Sequence, residues 1–379
     1  MYKEISSFID PAIELEIGKD KWDTFKEYEL NFDSKPLIIT SKSCRKFISD
    51  IDSELIIEVN SEPSFESINK SYKKISKKLP NLINKENIFF IALGGGSVID
   101  TAKIICLMIS NNINSVHKLI NEESAKKISE KIKIICIPTT SGTGAEITPF
   151  SSIWDKKNGL KYSIVADKLF RKIILDPKLT LGLPKKIIIS SGIDALCQIL
   201  ESSWSNKSNK LSLKSSFLGY KFFSKNINLI LEDLNNIKLR EEMLISSLLS
   251  GISISTANTT LCHSISYPLT AKLNIPHGLA CGFSLVEVIK FNSKSNDMFL
   301  KNTLDITKCK NSEMLIRKIS DILTNIEFKS LISQYLSVIE KNIDNLLPLT
   351  LNSRSSNNPV SASLNDVETI IKNSLDSYK

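Results

Sequence analysis

The stretch Asn87-Ile-Phe-Phe-Ile-Ala-Leu93-Gly94-Gly95-Gly96-Ser97 decides the fold of this chain. Its apolar run indicates a buried strand, and the glycine triplet follows without a gap. Residues 98–109 then place apolar side chains at helical spacing. A strand, a glycine turn and a helix in this order predict one step of a parallel α/β sheet.

The surrounding segments repeat this alternation. Apolar runs at residues 36–40, 55–59 and 133–137 indicate further buried strands, and residues 66–79 are polar with helical spacing. The first half of the chain is therefore predicted to hold a parallel sheet with crossover helices.

The second half has a different character from about residue 183 onward. Helical periodicity continues almost throughout, and no segment alternates convincingly as a strand. The clearest helical segments are residues 187–204, 211–223, 227–234, 240–255 and 315–325. A chain of 379 residues exceeds the usual size of one core. We therefore expect an α/β domain at residues 1–184 and an all-helical domain at residues 185–379, joined near Pro184.

Composition excludes several classes of protein. Hydrophobic residues make up 42% and charged residues 24%, as in ordinary globular proteins. The net charge of +8 is spread along the chain without a basic, aromatic-rich stripe, which argues against nucleic-acid binding. Seven cysteines without a C-x-x-C pair indicate a reducing compartment. With no secretory signal pattern and no apolar run of spanning length, we expect a cytoplasmic protein without a membrane segment.

Two loops have the composition of an anion site. The glycine triplet lets a phosphate approach the backbone at a helix N-terminus, although its spacing is not G-x-G-x-x-G. Ser97 is expected as the N-cap, with Asp100 three residues later as in a capping box. Asp100 is therefore either a structural helix-capping residue or a functional one. The second loop, residues 138–148, follows a predicted strand and carries hydroxyls and two glycines. One such loop is usually only a turn, but two on one sheet edge suit a diphosphate-bearing cofactor.

Histidines and one carboxylate form a second candidate site. The chain has three histidines, and His263 and His277 lie within residues 261–278. Asp194 and Gln198 are four residues apart in a predicted helix, so both project from one face. A carboxylate among apolar residues needs a partner, which is either a hydrogen-bond donor or a cation. These residues alone do not decide between two alternatives. The side chains are either core residues with satisfied hydrogen bonds or the ligands of a metal.

Five motifs in register resemble the iron-containing (group III) alcohol dehydrogenase family, whose relatives include glycerol dehydrogenase and dehydroquinate synthase. They cover roughly residues 35–286. They are Gly94-Gly-Gly-Ser97-Val-Ile-Asp100-Thr-Ala-Lys103, Pro138-Thr-Thr-Ser-Gly-Thr-Gly-Ala-Glu146-Ile-Thr148, Asp176-Pro177, Gly192-Ile-Asp194-Ala-Leu, and His263 with Pro276-His277-Gly278.

The resemblance implies a dinucleotide-binding α/β domain, a helical domain, and a divalent metal, Fe2+ or Zn2+, in the cleft between them. In the family the metal is held by an Asp, a His four residues later, and two further His. The corresponding residues here are Asp194, Gln198, His263 and His277, so one imidazole is replaced by an amide. Because an amide oxygen is a weaker ligand for a transition metal, we expect a metal to bind with reduced affinity.

The resemblance also suggests which residues act on the substrate. His263 and His277 hold the metal at the reacting carbonyl, and Tyr267 replaces a histidine that many members use to pass protons. A phenol, with an ordinary pKa of about 10, is a weaker relay, and the alternative is that Tyr267 only lines the pocket.

The implied cofactor is a nicotinamide dinucleotide. Ser41 occupies the turn after the first strand, where NAD-using members tend to carry a carboxylate, and Lys42 and Arg45 lie nearby. This pattern favours NADP(H) over NAD(H). The expected cofactor contacts are Ser41, Gly95, Gly96, Ser97, Asp100, Thr139, Thr140, Thr143 and Lys161.

The implied function is hydride transfer between NAD(P)H and a small aldehyde or alcohol. Residues 201–209 and 266–281 are similar to the phosphonoacetaldehyde reductase branch, which predicts reduction of phosphonoacetaldehyde to 2-hydroxyethylphosphonate in phosphonate biosynthesis. Candidate cations for such an anionic substrate are Lys207, Lys210 and Arg354.

Several alternatives remain. One is a reductase of an uncharged aldehyde or ketone, of the alcohol, lactaldehyde or glycerol dehydrogenase type. The others are a lyase like dehydroquinate synthase and a non-catalytic scaffold. We also expect a homodimer or a larger homo-oligomer.

Overall fold

The computed structural model describes residues 2–30, 35–60, 62–82, 87–122, 127–166, 170–294 and 297–379. The chain divides into two compact units. The first comprises Met1–Thr140, Ala145–Asp155 and Lys161–Leu181, and the second comprises Ser141–Gly144, Lys156–Leu160 and Gly182–Lys379.

The first unit is an α/β unit. Its strands are β1 (Glu14–Ile17), β2 (Leu37–Thr40), β3 (Leu55–Glu58), β4 (Ile88–Gly94), β5 (Ile132–Pro138), β6 (Phe150–Asp155), β7 (Leu160–Val165) and β8 (Lys172–Leu175). Its helices are α1 (Tyr2–Ser6), α2 (Lys21–Tyr28), α3 (Phe65–Lys78), α4 (Gly96–Ser110) and α5 (Val116–Asn121), with short 3-10 helices at Lys42–Phe47 and Pro177–Thr180.

A parallel sheet forms the centre of this unit. Its strand order is β1-β8-β5-β4-β2-β3, and β6 pairs with β7 in a separate ribbon. The central strands β4 and β5 are apolar and buried almost throughout, as expected of parallel strands covered on both faces. The predicted parallel α/β sheet is confirmed, and so are the predicted strands β2, β3, β4 and β5. The short strands β1 and β8 were not predicted, because four residues give too weak a periodicity.

The second unit is helical. Its helices are α6 (Lys185–Trp204), α7 (Lys210–Glu232), α8 (Ile237–Ala257), α9 (Leu261–Leu273), α10 (His277–Ser293), α11 (Lys301–Thr307), α12 (Ser312–Asn325), α13 (Phe328–Lys341), α14 (Ile343–Leu346) and α15 (Leu364–Tyr378). From residue 185 on, the described residues contain no strand, which confirms the predicted helical half. Nowhere in the described chain is a helix both long and apolar enough to cross a lipid bilayer.

Two local predictions were wrong. Residues 211–223 and 227–234 were expected as separate helices, but α7 runs without a break through Asn226, whose buried amide donates to Phe222 O and Glu242 Oε2. Ser97 was expected as an N-cap, but α4 is capped by Gly95, and the Asp100 carboxylate accepts instead from the Ser152 N–H at 3.0 Å.

Candidate metal and cofactor sites

Three helices of the second unit bring together four side chains that could hold a metal ion. Asp194 comes from α6, His263 from α9, and His277 and Cys281 from α10. One donor atom of each lies within 4.8 Å of the donor atoms of the other three. His263 Nε2 is 3.3 Å from Asp194 Oδ1, and His277 Nε2 is 3.8 Å from Cys281 Sγ.

Two glycines allow α10 to approach α6 this closely. A Cβ on Gly278 would lie 1.8 Å from the carbonyl oxygen of Ser190, and one on Gly282 would lie 2.6 Å from Ile193 Cγ2. Atoms cannot approach so closely, so both positions require glycine for packing. These glycines directly follow His277 and Cys281, so the same helical turns that carry the donors are held against α6.

Glu201 fixes the orientation of His263. Its Oε2 contacts His263 Nδ1, and its Oε1 accepts from the backbone N–H groups of Thr260, Cys262 and His263 and from the Thr260 hydroxyl. Because Nδ1 is occupied by a carboxylate, Nε2 is the nitrogen left to face Asp194. A carboxylate behind an imidazole is the usual support of a metal-bound histidine.

The pKa values of these groups follow from burial and mutual charge. Burial acts to lower the pKa of His263, but the charges of Cys281 and Glu201 and the hydrogen bond with Asp194 raise it well above its ordinary value. Burial raises the pKa of the Cys281 thiol, against the opposing effect of His263. A bound cation would reverse both preferences, since it requires a neutral imidazole and a thiolate.

Gln198 lies on the face of α6 that carries Asp194, as its spacing predicts. Its Nε2 is 3.3 Å from both Asp194 Oδ1 and Thr143 O, while its Oε1 accepts from the Ser250 hydroxyl at 2.8 Å. The amide therefore presents its NH2 group to the carboxylate.

Tyr267 stands one helical turn after His263 in α9. Its ring stacks on that of His277, with centroids 6.0 Å apart and planes at 22°. The structure thus brings Asp194, Gln198, His263, Tyr267 and His277 into one region.

The donor set fits a divalent transition metal. Carboxylate oxygen, imidazole nitrogen and thiol sulfur together suit Zn2+ or Fe2+ and would be unusual for Mg2+ or Ca2+. A cation held there could polarise the oxygen of a carbonyl substrate.

In the first unit, the two glycine-rich loops lie side by side, as predicted. Gly94 pairs with Pro138 at the ends of β4 and β5, and Thr139 N donates to Gly94 O at 3.0 Å. A Cβ on Gly95 would lie 3.2 Å from Thr140 Oγ1, so little room separates the loops. Gly96 and Ser97 form the first turn of α4, whose N-terminal N–H groups suit a phosphate.

The remaining candidate cofactor residues are more dispersed. Asp100 is tied to the backbone of β6, and burial raises the pKa of its carboxyl against the opposing charge of Lys103. The Lys161 ammonium lies 5.5 Å from the centroid of the Trp154 ring. Thr143 belongs to the second unit, where its carbonyl accepts from Gln198.

Beside the turn after β2 lie an ion pair and a cavity that the sequence argument missed. Ser41 precedes the 3-10 helix, and its hydroxyl is 3.0 Å from that of Ser43. Arg45, counted as a cation for a 2′-phosphate, pairs with Glu58 at the end of β3, at 3.2 Å. A cavity of about 580 Å³ opens beside this pair and is also lined by Lys70 and Lys74.

Sequence reasoning also missed Cys281 and Glu201 as parts of the candidate metal site. The seven cysteines were interpreted as a sign of a reducing compartment. The available signal was spacing, because Cys281 follows His277 by one helical turn and Glu201 follows Asp194 by two.

Two sequence-family models match the chain. The model described as iron-containing alcohol dehydrogenase matches residues 13–177. The model described as Fe-containing alcohol dehydrogenase family, C-terminal, matches residues 188–375.

Individual relatives agree with these matches. A phosphonoacetaldehyde reductase of Streptomyces viridochromogenes is 31% identical over 207 residues, which are 53% of this chain and 52% of that protein. This chain thus spans about half the length of the Streptomyces relative. An alcohol dehydrogenase of Thermococcus barophilus is 31% identical over 282 residues, covering 69% of this chain and 70% of that protein.

A solved structure supports the fold of the whole chain. The sulfoacetaldehyde reductase of Bifidobacterium kashiwanohense in complex with NAD+ is 25% identical, with a TM-score of 0.79. The match covers 97% of this chain and 98% of that one.

Proposed function

The chain belongs to the iron-containing alcohol dehydrogenase family, and we propose that it is a metal-dependent reductase acting on a small anionic aldehyde. The reaction proposed is transfer of hydride from a nicotinamide dinucleotide to phosphonoacetaldehyde, giving 2-hydroxyethylphosphonate. The single observation that carries the metal-dependent part is the convergence of Asp194, His263 and His277 on one point.

The residues of the second unit have distinct roles in this proposal. A bound divalent metal would supply the Lewis acid that polarises the aldehyde oxygen. Asp194 contributes negative charge, and Glu201 holds His263 with Nε2 directed at the site. Tyr267, stacked on His277, is the proposed proton donor to the alkoxide that hydride transfer produces.

For the cofactor we propose NADP(H) in preference to NAD(H). Lys70, Lys74 and Arg45 place positive charge around the cavity beside β3, which favours a 2′-phosphate. The Arg45–Glu58 pair offsets one of these charges. The preference is therefore expected to be modest, and the relative crystallised with NAD+ shows that the fold also accepts the unphosphorylated cofactor.

The comparisons support an anionic substrate. Two of the relatives described above are named for aldehydes that carry an anionic group, a phosphonate in one and a sulfonate in the other. Both substrates present a tetrahedral anion two carbons from the reacting carbonyl oxygen.

Arg354 is the cation that we assign to the anion. Lys207 and Lys210 are exposed, whereas Arg354 is half-buried and its Nη1 donates to Asn258 Oδ1. Asn258 ends α8 with a left-handed φ of 58°. It lies two residues before Thr260, which hydrogen-bonds Glu201, so Arg354 is connected to the support of the metal site.

A substrate panel on metal-reconstituted enzyme tests the function. Phosphonoacetaldehyde, sulfoacetaldehyde, propanal, lactaldehyde and dihydroxyacetone are each assayed with NADPH and with NADH. We expect the highest kcat/KM for phosphonoacetaldehyde with NADPH. Arg354→Ala should raise KM for phosphonoacetaldehyde about 10- to 100-fold, the value of a charge-assisted hydrogen bond, and leave propanal unaffected. Lys207→Ala, which removes an exposed cation, is the matched control.

The same panel distinguishes the alternatives. Preference for an uncharged carbonyl would remove the anionic substrate but leave a reductase. A lyase that uses the dinucleotide transiently would show no net change in nicotinamide absorbance. A scaffold would neither bind metal nor respond to Asp194→Ala.

A further inference from the structure

We propose that the thiol of Cys281 is the fourth protein ligand of the bound metal and that Gln198 is a positioning residue for Asp194. This proposal rests on the metal site of the proposed function and changes its ligand set. The expected ligands become one carboxylate oxygen, two imidazole nitrogens and one thiolate sulfur.

The distances support a four-ligand site that includes Cys281. Ligand atoms bonded to one metal at about 2.0–2.3 Å lie roughly 3.3–3.6 Å apart, and expansion to five-coordination would still admit a substrate oxygen. The separations here are 3.3 Å between His263 Nε2 and Asp194 Oδ1 and 3.8 Å between His277 Nε2 and Cys281 Sγ. All separations among the four donor atoms are within 4.8 Å, so modest side-chain rotations would bring them to bonding distance of one ion.

The position of Cys281 is set by backbone packing. Gly282, the next residue, packs against Ile193, which directly precedes Asp194. Cys281 also lies one turn after His277, so both donors project from the same face of α10. Cys281 is fully buried, so its sulfur lies inside the site and away from solvent.

Gln198 is arranged as a hydrogen-bond donor to a ligand. The two groups that its Nε2 meets, Asp194 Oδ1 and Thr143 O, are both acceptors, so the amide oxygen would be repelled there. An amide NH2 has no lone pair available for a metal. Its contact with Asp194 is instead of the kind that orients a ligating carboxylate.

Binding of the metal by Cys281 releases the proton of the thiol. The metal–sulfur bond forms as the S–H bond breaks, and the proton leaves to the buffer, with no oxidant or reductant involved. With one carboxylate and one thiolate, the two negative ligands neutralise a divalent ion. A thiolate also shifts selectivity toward Zn2+, Co2+ and Fe2+ and away from Mg2+ and Mn2+.

Cobalt substitution tests the proposal without measuring activity. The full-length protein is stripped with a chelator, reloaded with Co2+ under anaerobic conditions and examined by metal analysis and near-ultraviolet absorption. We expect one Co2+ per chain and a sulfur-to-cobalt charge-transfer band. Cys281→Ser should lose the band. Cys262→Ala, which removes a buried cysteine beside His263, should retain both the band and the affinity for Co2+. Gln198→Leu should retain the band but bind Co2+ about 10- to 100-fold more weakly, because it removes the amide that orients Asp194.

X-ray absorption of the zinc-loaded wild-type protein gives a second test that needs no variant. One sulfur scatterer at about 2.3 Å is expected beside nitrogen and oxygen at about 2.0–2.1 Å. A zinc shell of nitrogen and oxygen alone, a cobalt protein without the band, or a band that survives in Cys281→Ser would overturn the proposal. If such a protein still reduced aldehydes, the proposed function would stand without the sulfur ligand. If the metal were bound by sulfur but the protein showed no reductase activity, the sulfur ligand would stand and the proposed function would fail.

Discussion

At the scale of single residues, Glu201 supports the candidate metal site through His263, although it touches no substrate in the proposed mechanism. It is fully buried, and its carboxylate accepts from three backbone N–H groups and a hydroxyl while contacting His263 Nδ1. This arrangement ties the start of α9 to α6 and sets the imidazole before any metal arrives.

Replacing Glu201 by Gln should weaken metal binding. The amide retains the size of the side chain but removes the negative charge behind His263, and loss of such a partner reduces metal affinity about 10- to 100-fold. Competition with a chromophoric chelator measures the change. Glu242→Gln is the matched control, because Glu242 is also buried but pairs with Lys225 and Asn226. Equal affinity in wild type and Glu201→Gln would show that His263 needs no such support.

We predict that Glu146, in the second loop, makes the free energy of unfolding depend on pH. Burial raises the pKa of its carboxyl from 4.5 to about 7. As pH rises, the unfolded chain therefore loses this proton first. The contribution of Glu146 to the free energy of unfolding falls between about pH 4.5 and 7 and is constant outside that range. The total change is on the order of 3 kcal/mol.

Glu146→Gln should abolish that decline. Urea titrations at closely spaced pH values measure the difference in free energy of unfolding between variant and wild type. The difference should shift in favour of the variant from pH 4.5 to pH 7. Parallel stability curves across this range would mean that Glu146 ionises normally in the folded protein.

Sequence reasoning found the histidines and Asp194 because rare polar residues stand out in an apolar background. It missed Cys281 because a thiol is itself apolar enough to belong to a core. The role of Gln198 depends on which end of an amide faces Asp194, and spacing along a helix contains no information about that.

At the scale of elements, the contact of α10 with α6 decides whether the site forms. Gly278→Ala would put a methyl group into the Ser190 carbonyl, and backbone atoms cannot move aside as a side chain can. We expect a loss of stability of about 3 kcal/mol, the upper end of typical overpacking costs, together with loss of bound metal. Thermal unfolding and metal analysis check both effects.

Gly192→Ala is the control for this prediction. Gly192 lies in α6, but the nearest atoms to an added Cβ would be Ile227 Cδ1 and the ends of the Phe223 and Met243 side chains, at 3.1–3.6 Å. Its effect on metal content should be small. A Gly278→Ala protein with full metal content would show that α10 does not need this close approach.

Periodicity predicted the long elements and failed at their ends and breaks. The polar segment around Asn226 was interpreted as a break because the sequence does not show that Glu242 satisfies the amide. The N-cap of α4 was placed at Ser97 because a hydroxyl followed by a carboxylate resembles a capping box. The three glycines let the helix begin at Gly96 instead.

At the scale of the whole molecule, the predicted division into an α/β part and a helical part follows from the change of periodicity along the chain. The domain boundary at residue 184 and the homo-oligomer remain predictions. Family membership came from the order of five motifs, because each motif alone is compatible with ordinary turns and caps.

Metal removal should affect the two units unequally, because all four donors belong to the helical unit. A ligand present at about 100 times its Kd stabilises the native state by about 2.7 kcal/mol. Chelation should therefore speed hydrogen–deuterium exchange in peptides from α6, α9 and α10 by up to about 100-fold, while peptides from β4 and β5 change little. Mass spectrometry resolves these peptides. An equal change in both groups would contradict a metal confined to the helical unit.

The most direct test of the central claim, metal-dependent hydride transfer, follows deuterium. Metal-reconstituted protein is given phosphonoacetaldehyde and NADPH deuterated at C4 on either face, and the alcohol product is analysed by mass spectrometry. We predict that one deuterium appears on the carbinol carbon with one of the two labelled cofactors, and that Asp194→Ala forms no labelled product. Product without deuterium from either cofactor, or equal labelling by the Asp194→Ala protein, would contradict the account.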